Sequence, residues 1–277
     1  LGYATPTKHQ QAKGLVVLLH GWEGSVDSNY LLSSASNLHR HGFDIFRLNF
    51  RDHGDTHHLN EDLFHSCRLQ EIADAVHIVA QRWQQEHTGP VFLAGFSLGG
   101  NFALRVALNA PRLGTQLQRV VAVCPPIHPG SVLTALEQGP SIYERYFCDK
   151  WRRSLRRKQS LFPQLYSLEE WFKIDKLRAQ TQYLVEHYTD FPGIVDYLEG
   201  YSVAGEALNG LQTPTTIVTA ADDPVVPVSD FHALPRPDAL ELRIEAAGGH
   251  CGFLSDWSLR SWIDDYLLHR FLSEADE

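Results

Sequence analysis

The chain contains no methionine, only four cysteines in 277 residues, no excess of basic charge and no long apolar run. Three of these shortages each close off a class of protein. Cys67, Cys124, Cys148 and Cys251 are widely spaced with no C-x-x-C pair, which suits free thiols in a reducing compartment better than a disulfide framework. No apolar stretch approaches the roughly 20 residues that span a bilayer, so a transmembrane protein is not expected. Lys and Arg number 24 against 33 Asp and Glu, a net charge of −9, which argues against a general attraction to nucleic acid. No basic-then-apolar leader opens the sequence, and the cytoplasm is the expected location. Internal repeats and low-complexity segments are absent as well.

What is present fits a globular protein with a sizeable core: 43% hydrophobic and 21% charged residues, in a length that holds one large α/β domain or two small ones. Short β-rich apolar runs at Leu15 to Leu19, Asp44 to Phe50, Val91 to Ala94, Val120 to Val123, Thr215 to Thr219 and Leu240 to Ile244 read as buried strands. Between them lie helical patterns. Leu69, Ile72, Ala73, Val76, Val79, Ala80 and Trp83 form one apolar stripe. Ser28 is placed to cap a helix through Leu38 that stops at Gly42, and Ser97 opens another to about Ala110, before Pro111. A closing amphipathic helix carries Leu259, Trp262, Ile263, Tyr266 and Leu267. Alternating strand and helix predict a mostly parallel sheet with helices on both faces.

After Pro125-Pro126 the alternation stops. Residues 127–205 hold aromatic and basic helical segments without a convincing strand. The expected organisation is an α/β core from 1–126 and 206–277, with 127–205 as a helical cap over the carboxyl edge of the sheet, where open α/β sheets bind ligands.

The stretch VFLAGFSLGG, Val91 to Gly100, sets a serine between glycines where a strand pattern gives way to a helix pattern. That G-x-S-x-G spacing permits a sharp turn that presents the Ser97 hydroxyl beside backbone N–H groups. A serine is a weak nucleophile without a base, and the base needs an orienting acid. ADDPVVP ends a predicted strand with Asp222 and Asp223, and EAAGGHCGF places His250 in a glycine-rich loop after the next one. Each piece alone also occurs as an ordinary turn, but the three together, each at a predicted strand end, supply a nucleophile, an acid and a base. Asp223 fits the x-x-D-x-x-V-P spacing better than Asp222. An oxyanion requires preorganised donors. The Leu98 N–H, next to the nucleophile, is one, and LVVLLHGWEGS supplies the Trp22 N–H as the other, with Gly21 keeping the backbone open.

These motifs carry a resemblance. HGWEGS, NFRDHGD, FHS, GFSLGGN and ADDPVVP are similar to the YheT-like branch of the α/β-hydrolases, bacterial relatives of the mammalian abhydrolase-domain lipases, from about Leu15 to the C-terminal helix. The resemblance implies the α/β-hydrolase fold, a Ser97, Asp223, His250 triad and carboxylester hydrolysis. Two positions depart from the family's pattern: Trp22 stands where a leucine is common, and its YHSG element reads Phe64-His65-Ser66-Cys67.

Two further clusters have competing readings. Asp52, His53, Asp55, His57 and His58 offer metal-ligating types, but no second cluster supports them and a solvated polar loop is the simpler reading, so no metal is expected. Arg145, Lys150, Arg152, Arg153, Arg156, Arg157 and Lys158 make residues 145–158 strongly basic among aromatics. A solvated helix face explains them, and an amphipathic basic helix also suits peripheral contact with an anionic membrane. The expectation is therefore a cofactor-free serine hydrolase of carboxylic esters, short- to medium-chain or lipid. An acyltransferase on the same triad and a non-catalytic binding protein of the same fold are the alternatives.

Overall fold

The computed structural model describes residues 1–255 and 260–275 of the chain. Seven strands, β1 (Gly2–Thr5), β2 (Leu15–Leu19), β3 (Asp44–Leu48), β4 (Val91–Phe96), β5 (Arg119–Val123), β6 (Thr215–Ala220) and β7 (Leu240–Glu245), form one sheet in the order β1-β3-β2-β4-β5-β6-β7. Only β1 is antiparallel, with Gly2 opposite Leu48. In β2, β4 and β6 every residue is buried, because helices cover both faces, whereas the edge strand β7 alternates. The six expected strands are all present. β1 was not expected: its four residues have little apolar content and are recognisable only by the neighbour they pair with.

Helices α1 (Asn29–Arg40), α2 (Leu69–Glu86) and α3 (Leu98–Leu113) fall in the first half of the chain. α4 (Pro129–Gln138), α5 (Ser141–Leu161), a 3-10 turn (Trp171–Lys173), α6 (Leu177–Tyr188) and α7 (Ile194–Glu199) lie between β5 and β6. α8 (Ser229–His232) and α9 (Trp262–Ala275) follow. α2 and α3 pack on the sheet face carrying Leu15, Val17 and Leu93. α1 and α9 pack on the face carrying Val16, Leu18 and Phe92, joined to each other by the Ser34 hydroxyl donating to Asp264 at 2.5 Å. Leu259, counted with the closing helix from the sequence, lies outside the described residues.

One boundary and one cap differ from expectation for local reasons. α3 runs through Pro111 to Leu113 and ends at Gly114 in the left-handed region. Proline tolerates the last turn here because the Ala107 carbonyl it leaves without a donor accepts from the Thr213 hydroxyl at 3.3 Å. Ser28 holds the N-cap position of α1 but makes no side-chain cap bond; its Oγ accepts instead from the Ser25 N–H at 3.0 Å.

The segment between β5 and β6 joins the main core through Leu133, Leu136, Leu177 and Leu198, and packs Leu155, Leu168, Trp171 and Leu184 with Leu63 of the loop after β3 in a smaller cluster. Its basic run is less solvated than a helix face would be. Lys158 is completely buried and donates to Asp52 Oδ1 at 2.8 Å and to the Asn60 and Asp62 carbonyls at 2.6 and 3.1 Å. Arg152 donates to the Ile174 carbonyl and Lys150 to the Glu23 carbonyl. Of the loop expected to be solvated, Asp55 and His58 are exposed, whereas Asp52, His53 and His57 are buried beneath α5. One nitrogen of each buried histidine is partnered: His53 Nδ1 donates to the Arg51 carbonyl and His57 Nε2 meets the Ser154 hydroxyl. No helix among the described residues is long and apolar enough to cross a membrane.

Candidate active site

The turn from β4 into α3 determines where Ser97 points. Its backbone sits at φ 52°, ψ −121°, a conformation an L-residue holds only under constraint. Glycines on either side make that turn possible. A Cβ on Gly95 would lie 2.1 Å from the Gly99 carbonyl oxygen, and one on Gly99 would lie 2.4 Å from the His20 oxygen and 2.5 Å from the Leu19 oxygen. The G-x-S-x-G spacing is thus a steric requirement of two backbones packed against each other.

Loops after β6 and β7 bring the other two groups to the serine. The Ser97 hydroxyl lies 2.9 Å from His250 Nε2, and His250 Nδ1 lies 2.9 and 3.2 Å from the two oxygens of Asp223. The Asp223 side chain is fully buried, and its Oδ1 accepts from the Val225 and Val226 N–H groups at 2.8 and 3.0 Å, which holds the carboxylate in one orientation. Asp222 points elsewhere: its Oδ1 accepts from the Gly248 and Gly249 N–H groups, each at 2.8 Å, tying down the loop that carries His250. Those bonds to Gly249 and then Gly248 hold its carboxyl below the usual aspartate value. The adjacent aspartates therefore divide the work, one facing the imidazole and the other anchoring its loop.

His250 titrates well above its ordinary value. Burial disfavours the imidazolium, but the electrostatics of the neighbouring Cys251 sulfur and the hydrogen bond and charge of Asp223 outweigh it. That balance stabilises the protonated ring which forms when the serine gives up its proton.

The turn after β2 lies against Ser97: a Cβ on Gly21 would come within 3.2 Å of the Ser97 Cβ. His20 is buried, donates from Nδ1 to the Gly21 carbonyl at 2.7 Å and accepts at Nε2 from the Phe50 N–H at 3.2 Å. Burial lowers its pKa to about 4, which keeps the ring neutral and able to do both. The Gly21 N–H is taken by the Tyr30 hydroxyl at 2.8 Å, and Lys150 of α5 holds the Glu23 carbonyl at 3.1 Å. Trp22 is braced on both sides, and neither its N–H nor that of Leu98 has a hydrogen-bond partner among the described residues. Tyr30 and Lys150 carry no sequence signal for this role, because their contacts depend on how α1 and α5 dock.

Two cavities meet at Ser97. One, of about 760 Å³, opens toward solvent between Tyr30, Tyr143, Tyr146, His250 and Leu254. The other, of about 110 Å³, runs under α4 and α5 and is lined mainly by apolar groups, including Leu98, Pro126, Leu133, Leu136 and Leu198. Trp22 and Phe147 border both, their rings stacked at 5.5 Å and 19°, with Trp151 edge-on to Trp22 at 5.0 Å.

Comparison with known proteins agrees with this architecture. Residues 16–259 match the model of the alpha/beta hydrolase family. The chain is 26% identical over 275 residues to the Escherichia coli (strain K12) protein named "Putative esterase YheT", covering 95% of this chain and 78% of that protein. It is 24% identical over 292 residues to "Putative esterase slr0264" of Synechocystis, covering 96% and 79%. Among solved structures, Est1E of Butyrivibrio proteoclasticus with bound ferulic acid superposes with a TM-score of 0.63 at 15% identity, covering 100% of this chain and 96% of that one. Pyrococcus furiosus esterase Pf2001 superposes at 0.57 and 14% identity, covering 95% and 83%. At these identities the two structures speak for the fold alone.

Proposed function

From the premise that the chain belongs to the alpha/beta hydrolase family, we propose that it is a serine esterase that cleaves carboxylic esters through an acyl-enzyme. The observation that carries this reading is the unbroken relay from Ser97 through His250 to Asp223, with both hydrogen bonds at 2.9 Å. His250 takes the Ser97 proton as the hydroxyl oxygen attacks the ester carbonyl, and Asp223 holds the ring and stabilises its charged form. The Trp22 and Leu98 N–H groups receive the oxyanion. His250 then protonates the leaving alcohol, and a water it activates releases the acid. None of these steps needs a cofactor.

The same chemistry orients the substrate. The leaving oxygen must reach His250, which borders only the open cavity of the two, so the alcohol lies there. The acyl chain then extends beyond Leu98 into the narrow apolar cavity under the cap. Residues 127–205 act in this reading as a cap that shapes the acyl site.

The test is hydrolysis of p-nitrophenyl esters from acetate to palmitate by the wild type and Ser97→Ala, with fluorophosphonate labelling of both. Activity peaking at one chain length, together with labelling, both lost in the variant, is the expected result. Labelling of Ser97 with acyl transfer to an added alcohol outrunning hydrolysis would assign a transferase. An unlabelled, inert wild type would leave a binding protein of this fold.

A further inference from the structure

Beside the imidazole lie two thiols that the proposed reaction does not use. Cys124 Sγ, Cys251 Sγ and a ring nitrogen of His250 lie within 4.8 Å of one another. The thiols come from different parts of the chain, one at the end of β5 and one directly after His250. Both residues occupy the left-handed region, at φ 45° and 64°, where glycine is the less strained occupant. A side chain is therefore kept at two positions whose backbone favours having none. Neither sulfur has a strong partner: Cys124 reaches the Gly249 carbonyl only at 3.9 Å and Cys251 the Val123 carbonyl at 3.8 Å.

We propose that Cys124, Cys251 and His250 form a binding site for a thiophilic divalent cation, zinc by its chemistry, that holds the imidazole away from its relay. Tetrahedral zinc bonds to sulfur at about 2.3 Å and to nitrogen at about 2.0–2.1 Å, which places two sulfurs about 3.8 Å apart. Donors already within 4.8 Å of one another need only a small contraction to meet that geometry. Binding is written Zn²⁺ + 2 Cys–SH → Zn(S–Cys)₂ + 2 H⁺, with a lone pair of His250 as third ligand and water as the fourth; nothing is oxidised or reduced. Cys251 and His250 line the open cavity, which supplies the entry path and room for that water.

Both imidazole nitrogens are committed in the relay, Nε2 to Ser97 and Nδ1 to Asp223. A metal on either one breaks a bond the relay needs, so metal binding and proton transfer exclude each other. The site is in effect a reversible off state. Metal binding does not depend on the esterase reading; only the inhibitory consequence does.

The experiment titrates the full chain with Co²⁺ under a phosphine reductant, reading the thiolate-to-cobalt charge-transfer band in the near ultraviolet. In parallel, Zn²⁺ is titrated against ester hydrolysis and reversed with EDTA. Wild type is expected to bind one Co²⁺ with a thiolate band and to lose hydrolysis reversibly to Zn²⁺. Cys124→Ala is expected to lose the band and to raise the half-inhibiting Zn²⁺ concentration at least about 100-fold, since even outer-shell losses cost about 10–100-fold. Cys124→Ser, which preserves volume, serves if the alanine variant does not fold. Absence of the band in wild type overturns the proposal, as does inhibition unchanged in the cysteine variants. A band without any hydrolysis sinks the esterase reading and leaves the metal site standing.

Discussion

Replacing Lys158 by alanine removes the cation that joins the cap to the loop after β3. Lys158 is completely buried, and its ammonium is shared among the Asp52 carboxylate and the carbonyls of Asn60 and Asp62. Removing one member of a buried pair costs about 3–5 kcal/mol, because the remaining charge stays desolvated. The lower end applies here. Asp52 already titrates above its ordinary value through burial, against the opposing pull of Lys158, so without the lysine it escapes much of the penalty by taking a proton. A loss of about 3 kcal/mol corresponds to a fall in Tm of about 6–12 °C at this chain size. The sign of the pH effect follows from the same shift. Asp52 in the folded variant titrates above its unfolded value, so stability is lost as pH rises from the unfolded value through the folded one, and the variant's deficit grows over that interval. Urea unfolding followed by intrinsic tryptophan fluorescence, in a double-mutant cycle with Asp52→Asn, measures both the loss and the coupling. A loss below about 1 kcal/mol, or a coupling near zero, would refute the claim that this pair anchors the cap.

The adjacent aspartates separate by kinetics: Asp223→Asn is expected to lower kcat by about 10⁴-fold, whereas Asp222→Ala, which only frees the histidine loop, lowers kcat/KM by about tenfold. Comparable losses would refute the division of roles. Because His250 must be neutral to accept the serine proton and its pKa lies above 6.5, kcat/KM falls as pH drops through an acid limb between 6.5 and about 9. Asp223→Asn is expected to move that limb to lower pH, and a full pH profile checks it. Trp22→Leu opens the wall between the two cavities and is expected to shift the acyl optimum to longer chains, by about fourfold in kcat/KM per extra methylene buried at about 0.8 kcal/mol each. An unchanged p-nitrophenyl ester profile would put the acyl chain elsewhere. Gly99→Ala drives a methyl into the His20 and Leu19 carbonyls and is expected to abolish soluble folded protein, as circular dichroism would show.

The sequence by itself determined whatever depends on short-range sterics and on burial along the chain. Continuous apolar runs became the central strands because both faces of those strands are covered, and Gly95 and Gly99 marked the serine turn because only a missing Cβ lets the two backbones meet. The order of Ser97, Asp223 and His250 was legible for a related reason: loops at the carboxyl ends of parallel strands converge, so residues at those ends become neighbours. Tertiary structure alone decided how neighbouring groups share partners across long separations. The D-x-x-V-P spacing favours Asp223 as the residue that faces His250, but nothing local shows that Asp222 caps the Gly248 and Gly249 N–H groups. Nor does a basic run reveal that Lys158 turns inward, since its burial depends on carboxylate and carbonyl oxygens about 100 residues away in the chain. The division of the space around Ser97 into an open and a narrow cavity is of the same kind, produced where Trp22 of the core meets Phe147 and Trp151 of the cap. Side-chain pairing of this sort follows from the docking of whole elements, which no window of sequence contains.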